Sequence, residues 1–138
     1  MLLGSTADEA PKTATDAVAV KDQDAIQGEW RVTHFEEEGD VKAVPPEKLK
    51  SMRYVFSGGK AAIKIDGKVR AEGKFKLDSG KDPKHIDLDY GDGNTPGIYK
   101  LEGGRLTICC PAFRRETPRP KEFKTQKESG TMLMKLER

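Results

Sequence analysis

Apolar and polar residues alternate along most of the chain after residue 25, in short runs separated by turn residues. In the longest run, residues 68–77, apolar or small residues occupy every second position and charged residues occupy the others. A period of two is typical of a β-strand with one buried face. Asp66-Gly67, which precedes this run, is a strong hairpin signal. The inward positions predicted for this run are Val69, Ala71, Gly73, Phe75 and Leu77.

Eight such runs follow one another, mostly joined by tight turns, and they predict an all-β domain. Short connections favour pairing between strands that are neighbours in the chain. Because closure of a sheet removes its exposed edges, we predict an eight-stranded antiparallel up-and-down barrel, with a two-sheet sandwich as the alternative. Residues 44–50 contain Pro46 and predict a short helical turn after the first strand, since proline is tolerated at the first helical position.

The first 24 residues lack this pattern and are rich in Ala, Thr, Asp and Lys. We therefore predict a flexible N-terminal tail over 1–24 and one barrel domain over 25–138. Leu2 and Leu3 are the only hydrophobic residues at the start that resemble part of a leader, so a complete signal peptide is not indicated. Whether they are the remnant of a longer leader is left open. No run is long and apolar enough to predict a transmembrane segment.

Charge is divided unevenly along the chain. The net charge is +2; residues 1–25 carry five acids and two lysines, or −3, which leaves +5 for residues 26–138. A mildly basic domain of this kind is typical of an ordinary solvated surface, and no nucleic-acid partner is predicted. Residues 114–124 concentrate arginines and lysines around two prolines, with Phe123 as the expected anchor to the barrel. A surface for an acidic partner is the alternative interpretation of this segment.

A short motif on the first strand carries a resemblance to a known superfamily. Gly28-Glu29-Trp30 is similar to the Gly-x-Trp signature of the calycins, the lipocalin and fatty-acid-binding-protein superfamily. In that group a late arginine packs across the tryptophan and closes one end of the barrel. Arg138 stands at the matching place, so the resemblance implies a structural barrel closure by Gly28, Trp30 and Arg138.

A closer resemblance covers nearly all of residues 25–138. The segments are, in order, IQGEW, PPEKLKSM, YVFSGGK, GKFKLDSGKDPKHIDL, GIYKLEGGRLTIC and RPKEF. Their order and spacing resemble an uncharacterised lipocalin-like domain family that is expanded in planctomycete bacteria. The resemblance implies a lipocalin-like barrel and often an exported protein, so a periplasmic or secreted location is expected over a cytoplasmic one. It implies no established activity. The Thr-Asp-Tyr motif of broader lipocalins is absent, and short strands favour a filled interior over a lipid-sized cavity.

The inward-facing aromatic residues are the candidate ligand contacts. They are expected to form the core; if the barrel has a cavity, they line it and the tyrosine hydroxyls provide its polar groups. They are Tyr54, Phe56, Phe75, Tyr90 and Tyr99.

The sequence predicts no enzyme, metal site or cofactor. His34 and His85 are the two histidines, and His85 is expected on the outer face beside Asp87, with no nucleophile near it. Closely spaced oxygen ligands do not meet the EF-hand pattern; they are Asp87, Asp89, Asp92 and Asn94.

Cys109 and Cys110 are the two cysteines, and they are adjacent in the sequence. Neighbouring residues of a strand face opposite sides of the sheet, so a bond between them is not expected. We predict one small core residue and one surface or half-buried thiol.

Together these features predict a monomeric, non-enzymatic binding module. Its expected partner is a small hydrophobic ligand in the mouth, or an envelope component or protein at the loops. The alternative, from another class, is a protease inhibitor of the small-calycin type that uses residues 1–24.

Overall fold

A computed structural model describes residues 21–91, 93–112 and 117–138, in which eight antiparallel strands form a closed barrel. Each strand pairs with the strands before and after it in the chain, and the last strand pairs with the first. The predicted eight-stranded antiparallel barrel is thereby confirmed over the sandwich. The strands are β1 (Gly28–Glu37), β2 (Met52–Ser57), β3 (Lys60–Ile65), β4 (Lys68–Asp78), β5 (Lys84–Asp89), β6 (Asn94–Glu102), β7 (Arg105–Pro111) and β8 (Thr131–Glu137).

Helical structure is scarce in the described residues. A short helix, Pro46–Ser51, joins β1 to β2 and has a proline at its start, as the sequence predicts. Residues 21–25 are also helical, although residues 21–24 were predicted to belong to the flexible tail. Residues 1–20 lie outside the described part of the chain. No helix within the described ranges is long and apolar enough to cross a membrane.

The barrel interior is filled by the inward side chains of all eight strands. On β2 and β5 the predicted alternation holds: Tyr54 and Phe56 are buried on one strand, Ile86 and Leu88 on the other. Trp30 is the largest side chain with no exposed surface. Because burial of each large apolar side chain contributes roughly 1.5–3 kcal/mol, this packed interior is the main source of stability.

A β-bulge interrupts the alternation of β1. Val32 pairs with Leu136 on β8, but the next pair joins His34 to Lys135, so one residue of β1 has no partner. An extra residue shifts every later side chain to the other face. Phe35 is therefore buried in the core, and His34 lies toward the outside of the barrel.

A second bulge corrects the prediction for β4. Ile63 pairs with Ala71, whereas Lys64 pairs with Val69, so Arg70 is the extra residue. Val69, predicted to face inward, is 51% exposed, because the bulge reverses the alternation before Ala71. The inward prediction for Val69 is wrong.

A segment that we call the strap, residues 117–130, covers the outer face of β6–β8. Phe123 packs against a small buried cluster of Ile98, Cys109 and Leu133 outside the barrel core. Arg119 connects the strap to the barrel. Its guanidinium donates to the carbonyl oxygen of Gly97 and to a carboxylate oxygen of Asp87, both at 2.8 Å. This part of the sheet is thus buried on both faces.

Gly73 provides a test of strand packing between β4 and β5. A Cβ atom at this position would lie 1.9 Å from the carbonyl oxygen of Asp89. We expect Gly73→Ala to lower the free energy of unfolding by about 1–3 kcal/mol, because the backbone must shift. Gly104→Ala is the control, since no atom lies within 4 Å of its Cβ position. Equal urea midpoints for the two variants would contradict this packing.

Candidate functional site

One end of the barrel is closed by a stacked pair. The guanidinium carbon of Arg138 lies 4.2 Å from the ring centroid of Trp30, and the Trp30 indole N–H donates to the carbonyl oxygen of Ile26 at 2.8 Å. Arg138 also donates to the carbonyl oxygens of Ala25 and Gln27. The guanidinium therefore covers the buried ring and satisfies carbonyls at the entry to β1.

Gly28 completes this closure. Its φ is +110°, in the left-handed region that favours glycine, and a Cβ atom there would lie 3.0 Å from Nη1 of Arg138. The structure thus places together the three residues that the family resemblance assigned to barrel closure. The backbone N–H of Arg138 donates to Gly104 at 3.1 Å, which fixes the end of the chain to the β6–β7 turn.

The helical residues 21–25 pack against the same closed end. The Tyr99 hydroxyl donates to Oδ2 of Asp22 at 2.6 Å, and Nζ of Lys84 lies 3.0 Å from the same oxygen. Burial, followed by the nearby Asp22 carboxylate, raises the pKa of Tyr99. The hydroxyl of this candidate ligand contact therefore anchors the N-terminal segment at the closed end.

Three of the other predicted aromatic contacts pack on one another in the interior. Tyr54 stacks on Phe56 with ring centroids 4.9 Å apart, and Phe75 meets Phe56 edge-on at the same distance. The Tyr54 hydroxyl is hydrogen-bonded to the Tyr90 hydroxyl, and burial raises the pKa of Tyr90. The middle of the barrel is therefore occupied by side chains.

The opposite end of the barrel is open and forms a cavity of about 590 Å³, which we call the mouth. Its size lies within the range of about 300–1,000 Å³ that is typical of small-molecule sites. Tyr90 is the one predicted ligand contact that lines it. The lining consists of Phe35, Glu37, Ala43, Val44, Met52, Ile63, Ile65, Arg70, Ala71, Glu72 and Tyr90.

Two charged lining residues, Glu37 and Arg70, were missed by sequence reasoning because both follow from the β-bulges. A signal existed for β1: Phe35 is apolar but out of phase with Trp30 and Val32. For β4 there was no such signal, since the apolar positions around Arg70 keep a perfect period of two.

A second hollow, of about 360 Å³, lies along β2–β4 and is walled by Lys60 and Lys74. Its lining includes Val55 and Ala62, which alternate with the inward residues of their strands. The mouth is the better candidate because it is larger and borders the aromatic interior at Tyr90.

The histidines and acidic residues form structural contacts. Asp87 accepts hydrogen bonds from Arg119 and Asn94. Burial, then the charge of Arg119, lowers the pKa of His85. Asp92 lies outside the described residues. Within them, no cluster of three or more His, Cys, Asp or Glu side chains is suited to a metal ion.

His34 and Glu36, turned outward by the β1 bulge, meet the strap. Nε2 of His34 lies 3.3 Å from Oε1 of Glu36, and the Thr125 hydroxyl donates to the other carboxylate oxygen. The hydrogen bond from Thr125 lowers the pKa of Glu36, against the opposing effect of burial. This contact holds the strap on the barrel. Arg114 and Arg115 of the basic segment lie outside the described residues.

Both cysteines are fully buried, so the prediction of one surface or half-buried thiol is wrong. Cys110 faces the interior, and Cys109 lies beneath the strap, 3.7 Å from the carbonyl oxygen of Lys124. The sequence pattern did not indicate that the strap would cover this face. Burial raises the pKa of Cys109 to about 11 and also raises that of Cys110.

Removal of the closing ring should be costly. We expect Trp30→Ala to lower the free energy of unfolding by roughly 3–5 kcal/mol, because a fully buried indole and its contact with the Arg138 guanidinium are lost. Val69→Ala, at an exposed apolar position, should change stability by roughly 0.5 kcal/mol or less. Denaturant unfolding measures both; similar small losses would show that Trp30 does not hold the closed end.

The thiols should be inert in the folded protein. Because the thiolate is the reactive form and both pKa values are raised, we expect slow reaction with a disulfide reagent at pH 8 and complete reaction of both cysteines after unfolding. Phe123→Ala, which loosens the strap, should accelerate one thiol. A fast-reacting thiol in the unmodified folded protein would contradict the observed burial.

Comparison with known proteins identifies no relative: no family model, curated protein or solved structure matches the chain.

Proposed function

We propose that this protein is a non-enzymatic binding module that holds a small apolar ligand in the mouth of the barrel. The observation that carries the proposal is the cavity of about 590 Å³. Apolar side chains supply most of its lining, and small-molecule sites combine such a lining with a few polar groups. Burial of apolar ligand surface is the driving force, at roughly 25 cal/mol per Å².

The proposal includes a lipocalin-like, up-and-down identity for the barrel. Two features support it. The strand order follows the chain order, and Gly28, Trp30 and Arg138 meet at the closed end. A barrel closed at one end by packed side chains leaves the other end as the entrance for a ligand. Export of the protein stays a prediction of the sequence resemblance.

The filled interior limits the size of the ligand. Tyr54, Phe56 and Phe75 occupy the centre of the barrel, so the ligand rests above them instead of crossing the barrel. A short chain or a single ring system suits this depth better than a long lipid. The protease-inhibitor alternative depends on the N-terminal tail, whose residues 1–20 lie outside the described part, and it too stays a prediction.

A matched pair of alanine-to-tryptophan substitutions tests the site. N-phenylnaphthylamine, a neutral apolar dye excited beyond tryptophan absorption, should bind the unmodified protein saturably. Ala71→Trp places a large ring in the mouth and should weaken dye binding about tenfold or more, a loss of about 1.4 kcal/mol. Ala62→Trp, which faces the second hollow, should leave dye binding unchanged.

Two outcomes would overturn the proposal. One is the absence of saturable dye binding to the unmodified protein. The other is the reverse pattern, in which Ala62→Trp abolishes binding and Ala71→Trp does not. Thermal melting of both variants shows whether a lost signal reflects a lost fold.

A further inference from the structure

Both β-bulges have their effect at the mouth. Past the first bulge, β1 ends with Glu37 on the lining of the cavity, although regular alternation from Trp30 would turn it away. The second bulge makes Arg70 an extra residue, and it too lines the mouth. Bulges are known to re-aim side chains beside binding sites. Here they bring a carboxylate and a guanidinium to an otherwise largely apolar opening.

These charges are not used to hold the fold. Within the described ranges, neither Glu37 nor Arg70 forms an ion pair or a side-chain hydrogen bond, and the same is true of Glu72, which lies on the same lining. Elsewhere in the domain, the buried Asp22 and the half-buried Asp87 and Glu36 each have a partner. The mouth therefore holds charges of both signs that are free to meet a ligand.

The mixture of signs restricts the head group of a ligand. A purely anionic head would be attracted to Arg70 but repelled by Glu37 and Glu72. A purely cationic head would meet the opposite conflict. A head that carries both charges can satisfy both sides, because the guanidinium binds a carboxylate, phosphate or sulfonate through paired N–H groups while a carboxylate accepts an ammonium group.

The apolar part of the lining is suited to the hydrocarbon part of the ligand. Met52, Ile63 and Ala71 lie on the same cavity as the charges and offer no hydrogen-bonding side chain. A short hydrocarbon chain placed there is removed from water while its head group stays at the level of Glu37 and Arg70. The arrangement thus has the two parts of an amphiphile site.

We infer that the mouth selects a short-chain amphiphile with a zwitterionic head group, whose anionic part meets Arg70 and whose cationic part meets Glu37. This inference rests on the proposed function, since it names the ligand class of the same cavity.

A panel of ligands with one decyl chain and different heads tests the inference. Displacement of N-phenylnaphthylamine, below the micelle concentration and at low salt, would compare five compounds: decylphosphocholine, decyl sulfobetaine, decyl phosphate, decyltrimethylammonium and decyl maltoside. The two zwitterions carry their charges in opposite order along the head. At least one should bind about fivefold tighter than each of the other three heads, the size expected for partly exposed ion pairs. Added salt should reduce the difference.

Charge variants test which side chain binds which charge of the ligand head group. Arg70→Gln should remove the preference for the zwitterion and make the cationic ligand the tightest of the panel. Glu37→Gln should instead shift the preference toward the anionic ligand. Lys76→Gln and Glu29→Gln remove the same charges from the same strands, at residues that do not line the mouth, and should leave the ranking unchanged.

The failures of the two proposals are distinguishable. If the dye does not bind at all, the mouth is not an apolar site and the proposed function fails. If the dye and the decyl ligands bind but all five heads rank equally, or if Arg70→Gln and Glu37→Gln leave the ranking as it was, the apolar site stands and the zwitterion inference is overturned.

Discussion

The closed end of the barrel depends on the stack of Arg138 on Trp30. A ring of strands leaves two open ends, and each end exposes core to water unless something covers it. Here a buried indole fills one end, and the guanidinium of Arg138 covers the indole and donates to the carbonyl oxygens of Ala25 and Gln27. One interaction thus joins the beginning and the end of the domain. Among the described residues, the opposite end has no comparable stacked pair, and the cavity lies there.

The interior and the mouth follow different packing rules. Inside, the aromatic rings meet in stacked and edge-on pairs, and the hydroxyls of Tyr54 and Tyr99 each have a partner. A polar group in such an interior costs free energy unless it is hydrogen-bonded. The hydrogen bonds of these tyrosines therefore also connect segments that are distant in the chain. At the mouth, charged side chains keep contact with water and need no such partner. The packed side chains that stabilise the barrel and the cavity proposed as its ligand site therefore lie at different places in the barrel.

The strap gives the domain a second, smaller core outside the barrel. Without it, β7 would present Cys109 to solvent on a sheet face that also carries Ile98 and Leu133. The strap covers this apolar surface with Phe123, while Arg119 brings a cation to the adjacent acidic strand. The basic segment thus has a structural role in its described part, and the charge of Arg119 is already paired.

The sequence by itself determined the number of strands, their antiparallel order around a ring, the short helix and most of the inward residues. These follow from local information: a period of two, turn residues at hairpins, and a proline where a helix begins. It also pointed to the residues of the closed end, through the resemblance of Gly28-Glu29-Trp30 to the calycin signature. The tertiary structure alone decided that Val69 is exposed while Arg70 lines the mouth. This follows from a bulge, which arises from the register between two strands and is not revealed by the apolar pattern of β4. The burial of Cys109 and the anchoring of Asp22 likewise depend on segments distant in the chain, whose contacts no local pattern encodes.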